Sequence, residues 1–472
     1  MTARSDLLTL DLSTAAQRVA TGEVSPVDLV GACLDQAAAI ADTNAYISVF
    51  DDALEVAEAS AAMIRAGYRI GPLHGVPIAL KDNIHVAGKL TTAGSAVLKD
   101  NISTIDATVV ERLRSAGAII IGKTNLHEFA WGGTSANVTF GFVKNPWNQE
   151  RMPGGSSGGS GVAVASGACF GALGTDTGGS VRLPSALNGI TGLRPTIGRV
   201  SNAGVIPLAW SMDTVGPMAR SARDCAVLLG ALAGHDTRDP GTADIGVDDY
   251  VAGLDAGVSG LRIGLIEGYS LHHMQVAVEK AVREAVEVFE DLGAVAREVS
   301  IPDIEGNISA QLTVESVEPS TYHQRTLRTQ RDDYADDVRL LLQVGELIPA
   351  VHYVQAQRYR ALLRQQMLAA YAEVDVIVCP TLPFTATPLG ETLVNIDGED
   401  EDMLSAIMQF TGLPSLTGLP ALSVPGGFDA DRMPVGVQLI GRPFAESTLF
   451  SCGAALQSAT DHHLQHPPVL AA

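Results

Sequence analysis

Between Met152 and Pro195 the chain reads MPGGSSGGSGVAVASGACFGALGTDTGGSVRLPSALNGITGLRP. Two clusters in it, Gly154 to Ser160 and Thr177 to Ser180, set serines among glycines. Without Cβ atoms a backbone can turn sharply and aim consecutive N–H groups at one oxygen, which is what an acyl-transfer site needs. A flexible linker shares the composition but not the arrangement. It would not interleave its glycines with apolar runs such as Val162 to Ala165, nor keep Asp176, Arg182 and Pro184 around one serine. The segment therefore calls for a folded frame that holds two tight Gly/Ser turns in place.

Strand patterns alternating with helix patterns supply that frame and predict an α/β sheet. Ser13 is expected to cap a short helix through Ala20, and Ser25 with Pro26 to start another running to about Ala41. Gly75 to Ile84 (GVPIALKDNI) reads as a buried strand, Asp106 to Ala116 as a capped helix ended by Gly117, and Ala118 to Ile121 as a second strand. Further strands are expected at Gly171 to Thr177, Leu261 to Ile266 and Val374 to Cys379, with a terminal pair at Ala421 to Val424 and Val435 to Ile440. Helices are expected at Val276 to Leu292, stopped by Gly293, and at Glu346 to Ala372. There is no internal repeat. The stretch from Pro380 to Asp402 is too short and too apolar at its start for a linker, so the 472 residues are read as one domain.

With 31 Lys plus Arg against 53 Asp plus Glu, the formal net charge of −22 would repel a nucleic-acid backbone, and no basic patch offsets it. The acidic run Asp397 to Asp402 (DGEDED) reads as a solvated loop rather than a cation site. Five scattered cysteines without a C-x-x-C pair argue against a disulfide framework and a zinc site, and fit a reducing compartment. The N-terminus lacks a secretory h-region, and the longest weakly polar stretch, Gly161 to Gly174, is too short to span a bilayer. A cytoplasmic chain without membrane or nucleic-acid partners is expected.

Three local motifs compete. Gly154-Gly155-Ser156-Ser157-Gly158 fits G-x-S-x-G, but that nucleophile elbow needs a strand before it, and NPWNQERMP (145–153) is turn-like. Asp176-Thr177-Gly178 matches the aspartic-protease tripeptide, yet no second copy supplies the paired carboxylate. Gly117 to Thr124 matches the P-loop pattern formally. Its variable residues AIII are strand interior, so Lys123 is not a phosphate-cradling lysine.

GVPIALKDNI with Lys81, GGSSGGS with Ser156 and GTDTGGSVRLP with Ser180, 75 and 24 positions apart, together resemble the amidase signature family. The likeness extends through GKTNLHEFAWG (122–132) to LPALSVPGG (419–427) and PVGVQLIG (434–441). It implies a single large α/β/α sandwich with a central mixed, mostly parallel twisted sheet covered by helices. A helical part spans about 1–70, a catalytic core about 71–225, and the remainder completes sheet and pocket. It also implies Ser180 as nucleophile, Ser156 after a cis peptide as proton relay, and Lys81 as base, which must then be neutral. The apolar run Val76 to Leu80 would desolvate Lys81, while Asp82 points to the opposite side of the strand. The amides of Thr177, Gly178, Gly179 and Ser180 would form the oxyanion hole. Ala130 is counted with these substrate-binding residues, and Phe129 and Trp131 as pocket candidates favouring an apolar or aromatic acyl part.

Asp176 and Arg182 are expected to pair structurally. His74, His85 and His127 are not needed by a lysine relay, and Cys169 is read as a core residue. No cofactor or metal is implied. The expected substrate is a small-molecule amide, with a homodimer as the default assembly. Family members that draw ammonia from glutamine to amidate transfer RNA, in complexes, hold the glutamine with an arginine and an aspartate. Those positions fall near Leu340 or Leu341 and near Met408 here, which points to a stand-alone amidase, with an esterase or hydrazide hydrolase as neighbouring chemistry.

Overall fold

The computed structural model describes residues 4–471. Eleven strands form one sheet: β1 (Tyr46–Val49), β2 (Pro77–Lys81), β3 (Ile119–Thr124), β4 (Gly171–Asp176), β5 (Thr191–Arg194), β6 (Thr214–Ala219), β7 (Arg262–Ile266), β8 (Val295–Val299), β9 (Val376–Pro380), β12 (Ala421–Phe428) and β13 (Pro434–Gly441). Their order across the sheet is β1-β3-β2-β4-β6-β5-β12-β13-β9-β7-β8, and β10 (Leu393–Ile396) with β11 (Glu399–Asp402) makes a separate hairpin. Strands β2 to β6, β9 and β13 are buried at every position. Both faces of the sheet are covered, which is why these segments read as continuous apolar or small-residue runs instead of alternating.

The sheet is mixed, as expected, but parallel pairs do not predominate. β2 runs parallel to β3 and β4, and β7 to β8 and β9. The other six pairings are antiparallel. The cause is the middle of the sheet, where β6 inserts between β4 and β5 and the tight β12–β13 hairpin fills the space between β5 and β9.

Several local expectations shift. The first of the two expected N-terminal helices is Leu12–Ala20, capped by Asp11, whose side chain accepts from the Thr14 amide; the Ser13 hydroxyl instead donates to Asp224 at 2.7 Å. Ser25 does cap Pro26–Ala39. The helix before Gly117 is Thr108–Ser115 without a side-chain cap, because Asp106 accepts from the Ala87 amide and pairs with Arg114. The helix predicted from Glu346 to Ala372 starts only at Ala350 and ends at Ala370; Glu346 and Leu347 instead close a separate helix, Asp336–Leu347, with Pro349 between the two. The acidic run is no plain loop: its turn, with Asp397 and Gly398 both at positive φ, closes the β10–β11 hairpin. No helix among the described residues is long and apolar enough to cross a membrane.

Candidate active site

Lys81 is the last residue of β2, in the buried middle of the sheet, and is fully enclosed. Its Nζ lies 2.7 Å from Ser156 Oγ, 2.8 Å from Thr175 Oγ1 and 3.4 Å from the Thr175 carbonyl. Asn83 donates to the same Thr175 hydroxyl at 3.2 Å. Burial pulls the Lys81 amine down to about 7, against Asp213 and Asp176, which favour its charged form. Asp82, next along the chain, turns to the other face, where Lys123 Nζ reaches it at 2.7 Å and Thr92 also donates to it. Lys123 thus belongs to a buried ion pair on β3, not to a phosphate loop.

Ser156 follows a cis Gly155–Ser156 peptide. Its carbonyl accepts from the His127 amide at 3.1 Å and from Ser135 Oγ at 3.2 Å, which fixes the turn while its hydroxyl faces Lys81. Gly155 admits no side chain: a Cβ there would lie 2.6 Å from the Ser135 nitrogen and 2.8 Å from the Gly132 carbonyl oxygen. The Ser157 amide donates to the Ser180 carbonyl at 3.2 Å and joins the two Gly/Ser turns directly.

The second turn runs from the end of β4 to the helix Arg182–Asn188. Its anchor is Asp176, which Arg182 contacts through Nε at 3.0 Å and Nη2 at 2.8 Å, and Arg194 through Nη1 at 3.0 Å. Burial alone would raise the Asp176 carboxyl, but the two guanidiniums hold it well below the usual range. Arg182 also reaches Ser415 and Gln438, so the expected pair is part of a wider buried network. Thr177 Oγ1 donates to Asp213 at 2.5 Å, and Thr411 Oγ1 to the Gly178 carbonyl at 2.7 Å. Gly179 has φ of +134°, which a residue with a Cβ rarely adopts. Between these anchors the amides of Thr177, Gly178, Gly179 and Ser180 donate to no acceptor among the described residues, and neither does the Ser180 hydroxyl. Four free N–H groups beside a free hydroxyl can receive a carbonyl oxygen and attack its carbon.

A cavity of about 710 Å³ is lined by Gly132, which packs against Gly155, and Trp131, Phe142, Met152, Tyr334, Leu341 and Ile407 give it an apolar wall; none of Lys81, Ser156 and Ser180 lines it. His127 and Asp337, 2.9 Å apart, mark its polar side. Trp131 lines this cavity, whereas Phe129 packs away from it in a buried cluster, its ring centroid 4.2 Å from that of His323 and 5.5 Å from that of Tyr334. Ala130 is buried between them at positive φ. His74 bonds to the Ile70 amide and to the Ser60 carbonyl, the His85 backbone bonds to Gly204 and Ala107, and Cys169 is buried. No group of His, Cys, Asp and Glu among the described residues could hold a metal ion. Sequence reading missed Thr175, Asp213 and Arg194, which hold the site together from one strand and two strand ends. It also missed Gln311 and Glu315 on the helix Asn307–Thr329, buried against Gly178.

The family model named Amidase matches residues 28–450. The Amidase of Pseudomonas putida is 41% identical over 99% of this chain and 100% of that one. A glutamyl-tRNA(Gln) amidotransferase subunit of Roseiflexus sp. (strain RS-1) is 39% identical over 97% of this chain and 98% of its own length. A solved structure from work on a vestigial protein complex and the evolutionary origins of an s-triazine catabolic enzyme superposes with a TM-score of 0.92. It is 32% identical, over 95% of this chain and 98% of that one. The chain belongs to the amidase signature family.

Proposed function

We propose that the protein is an amidohydrolase that cleaves the C–N bond of a small carboxamide through an acyl-enzyme on Ser180. Ser180 Oγ attacks the carbonyl carbon, its proton passes to Ser156, and Ser156 gives its own to neutral Lys81. The Thr177 to Ser180 amides stabilise the oxyanion. Collapse expels the amine, which takes the relayed proton, and water releases the acid by the reverse relay. The observation that carries this reading is the Lys81 Nζ–Ser156 Oγ bond of 2.7 Å at a lysine that burial brings down to about 7. Near neutral pH about half of such a lysine is free amine, so it accepts a proton without a histidine.

The apolar cavity wall favours an amide with an apolar part. Leu341 lines it and Met408 packs against Gly178, at the positions where a glutamine-binding arginine and aspartate would fall. The likeness to the glutamyl-tRNA(Gln) amidotransferase chain supports a second reading, in which this protein draws ammonia from glutamine as one member of a complex. Both readings are tested by giving the purified chain benzamide, a fatty amide, an anilide, a benzoyl hydrazide, a benzoate ester and glutamine, beside Ser180→Ala. Turnover of a neutral amide that vanishes in Ser180→Ala supports the first. Turnover of glutamine alone supports the second, and ester turnover without amide turnover makes the chain an esterase.

A further inference from the structure

The helix Asn307–Thr329 lays a polar stripe against the candidate site. Asn307, Gln311, Glu315 and Glu318 recur at helical spacing and all four are buried. Glu318 is matched by the Ser211 amide at 3.1 Å and the Tyr353 hydroxyl at 3.0 Å. The two turns before it are not matched. Gln311 Nε2 donates to Glu315 Oε1 at 2.9 Å and lies 3.4 Å from Met408 Sδ, while Gln311 Oε1 and Asn307 Oδ1 receive no donor. Glu315, 3% exposed, has no ion-pair partner among the described residues. The nearby cations Arg182 and Arg194 are committed to Asp176.

This stripe touches the loop that carries Ser180. A Cβ built on Gly178 would lie 2.5 Å from Gln311 Nε2, 2.7 Å from Glu315 Oε1 and 3.0 Å from Met408 Sδ. The unmatched Gln311 and Asn307 oxygens lie against Gly412, and the buried Glu315 carboxyl beside Gly178 has no counter-charge, an arrangement that costs stability unless something else completes it. We propose that Gln311 and Glu315 form the subsite for a protonated amino group on the acyl part of the substrate. This rests on the amidase reading and narrows its substrates to amides that carry an ammonium a few bonds from the scissile carbonyl.

The charges follow. Without a ligand, burial pushes the Glu315 carboxyl up to about 8; Asp213 and Asp176 push the same way, and Arg194 and the Gln311 amide oppose them. An ammonium in contact supplies the missing counter-charge, so the carboxyl gives up its proton to solvent as the ligand binds. The same positive charge disfavours protonation of Lys81 and so favours the neutral amine that the reaction needs.

The test uses isosteric pairs, γ-aminobutyramide against valeramide and β-alaninamide against butyramide, in which the ammonium becomes a methyl. Ammonia release by the full chain gives kcat/KM, and calorimetry with Ser180→Ala in buffers of different ionisation enthalpy gives binding and proton release. The amino amide of at least one pair is expected to be preferred by about tenfold or more, and to bind with proton release. Glu315→Gln, which keeps the Gln311 contact and removes the charge, brings the ratio close to one, and Gln311→Ala lowers it partway; thermal unfolding checks that both are folded. Equal or better turnover of the alkanamides, or a preference that survives in Glu315→Gln, overturns the subsite and leaves the amidase reading standing. Ammonium binding with proton release but no amide turnover keeps the subsite and sinks the amidase reading. Neither binding nor turnover of either pair overturns the subsite.

Discussion

In the proposed relay Lys81 has to be an amine at a pH where a surface lysine is a cation, and its surroundings carry that burden. Burial brings it down to about 7, so kcat/KM is expected to rise as pH increases through that value and to level off above it. Lys81→Arg, charged throughout, should lose about 10³-fold or more and show no such limb; a pH-rate profile of both proteins checks this. Stability moves with the same group. Between about 7 and the ordinary 10.5 the unfolded chain binds the proton that the native lysine has lost, so this residue makes stability rise with pH across that window. At pH 6 the native lysine is a buried cation, and Lys81→Met should raise Tm while abolishing turnover, a trade of stability for activity. Ser156 and Ser180 were legible as candidates because their motifs are local and dense in glycine, and Lys81 only through the resemblance that its segment shares with theirs. Thr175, Asp213 and Arg194 were not, because each acts across strands, and a lone threonine or arginine in a sequence announces no partner.

At the scale of elements, the turn that carries Ser180 is held by buried anchors on both sides. Asp176 is enclosed with Arg182 and Arg194, so Asp176→Asn leaves two buried guanidiniums without their counter-charge and should cost about 3–5 kcal/mol in urea unfolding. Gly178→Ala would drive a methyl into Gln311 and Glu315, displacing the free amides; a fall of about 10²-fold in kcat is expected, with a smaller change in KM. Glu315 offers a pH test of its own. Its raised carboxyl contributes stability that is full below the unfolded 4.5 and lost as pH rises through about 8, so Glu315→Gln should gain on the wild type by about 2–4 kcal/mol between pH 5 and 9. Strands β2, β3, β4, β9, β12 and β13 were readable since both of their faces are buried; β5 and β6, equally buried, were not, since one is only four residues long and the other carries Gly216 and Pro217. The helix Asn307–Thr329 was not, since Pro319 interrupts its interior and polar residues occupy its buried face. Pro349, which reads as interior to one long helix, in fact separates two.

The whole sheet places these elements. Lys81 ends β2 and the Ser180 turn leaves the neighbouring strand β4, so the parallel β2–β4 pairing sets the register on which the proposed proton relay depends. The last two strands lie in the middle of the sheet, with β12 on β5 and β13 on β9. We infer that the chain folds as one unit: removal of residues after 420 would leave β5 and β9, buried on both faces, as unpaired edges and should give an aggregating chain, as sedimentation of the truncated protein would show. A fragment of residues 71–225 should fail in the same way. The sequence pattern located β9, β12 and β13 but neither β5 nor the order of the strands, because insertion of a terminal hairpin between β5 and β9 leaves no local signal.

The claim that joins these scales is that Ser180 forms an acyl-enzyme with Lys81 as its base. Incubation with an activated benzoate ester, quenching and peptide mass spectrometry test it most directly. The account predicts a benzoyl group on the peptide containing Ser180, absent in Ser180→Ala, and formed far more slowly in Lys81→Ala with partial recovery at high pH. A benzoyl group on Ser156 or on another residue, or adduct formation in wild type that Lys81→Ala leaves unchanged, would contradict it.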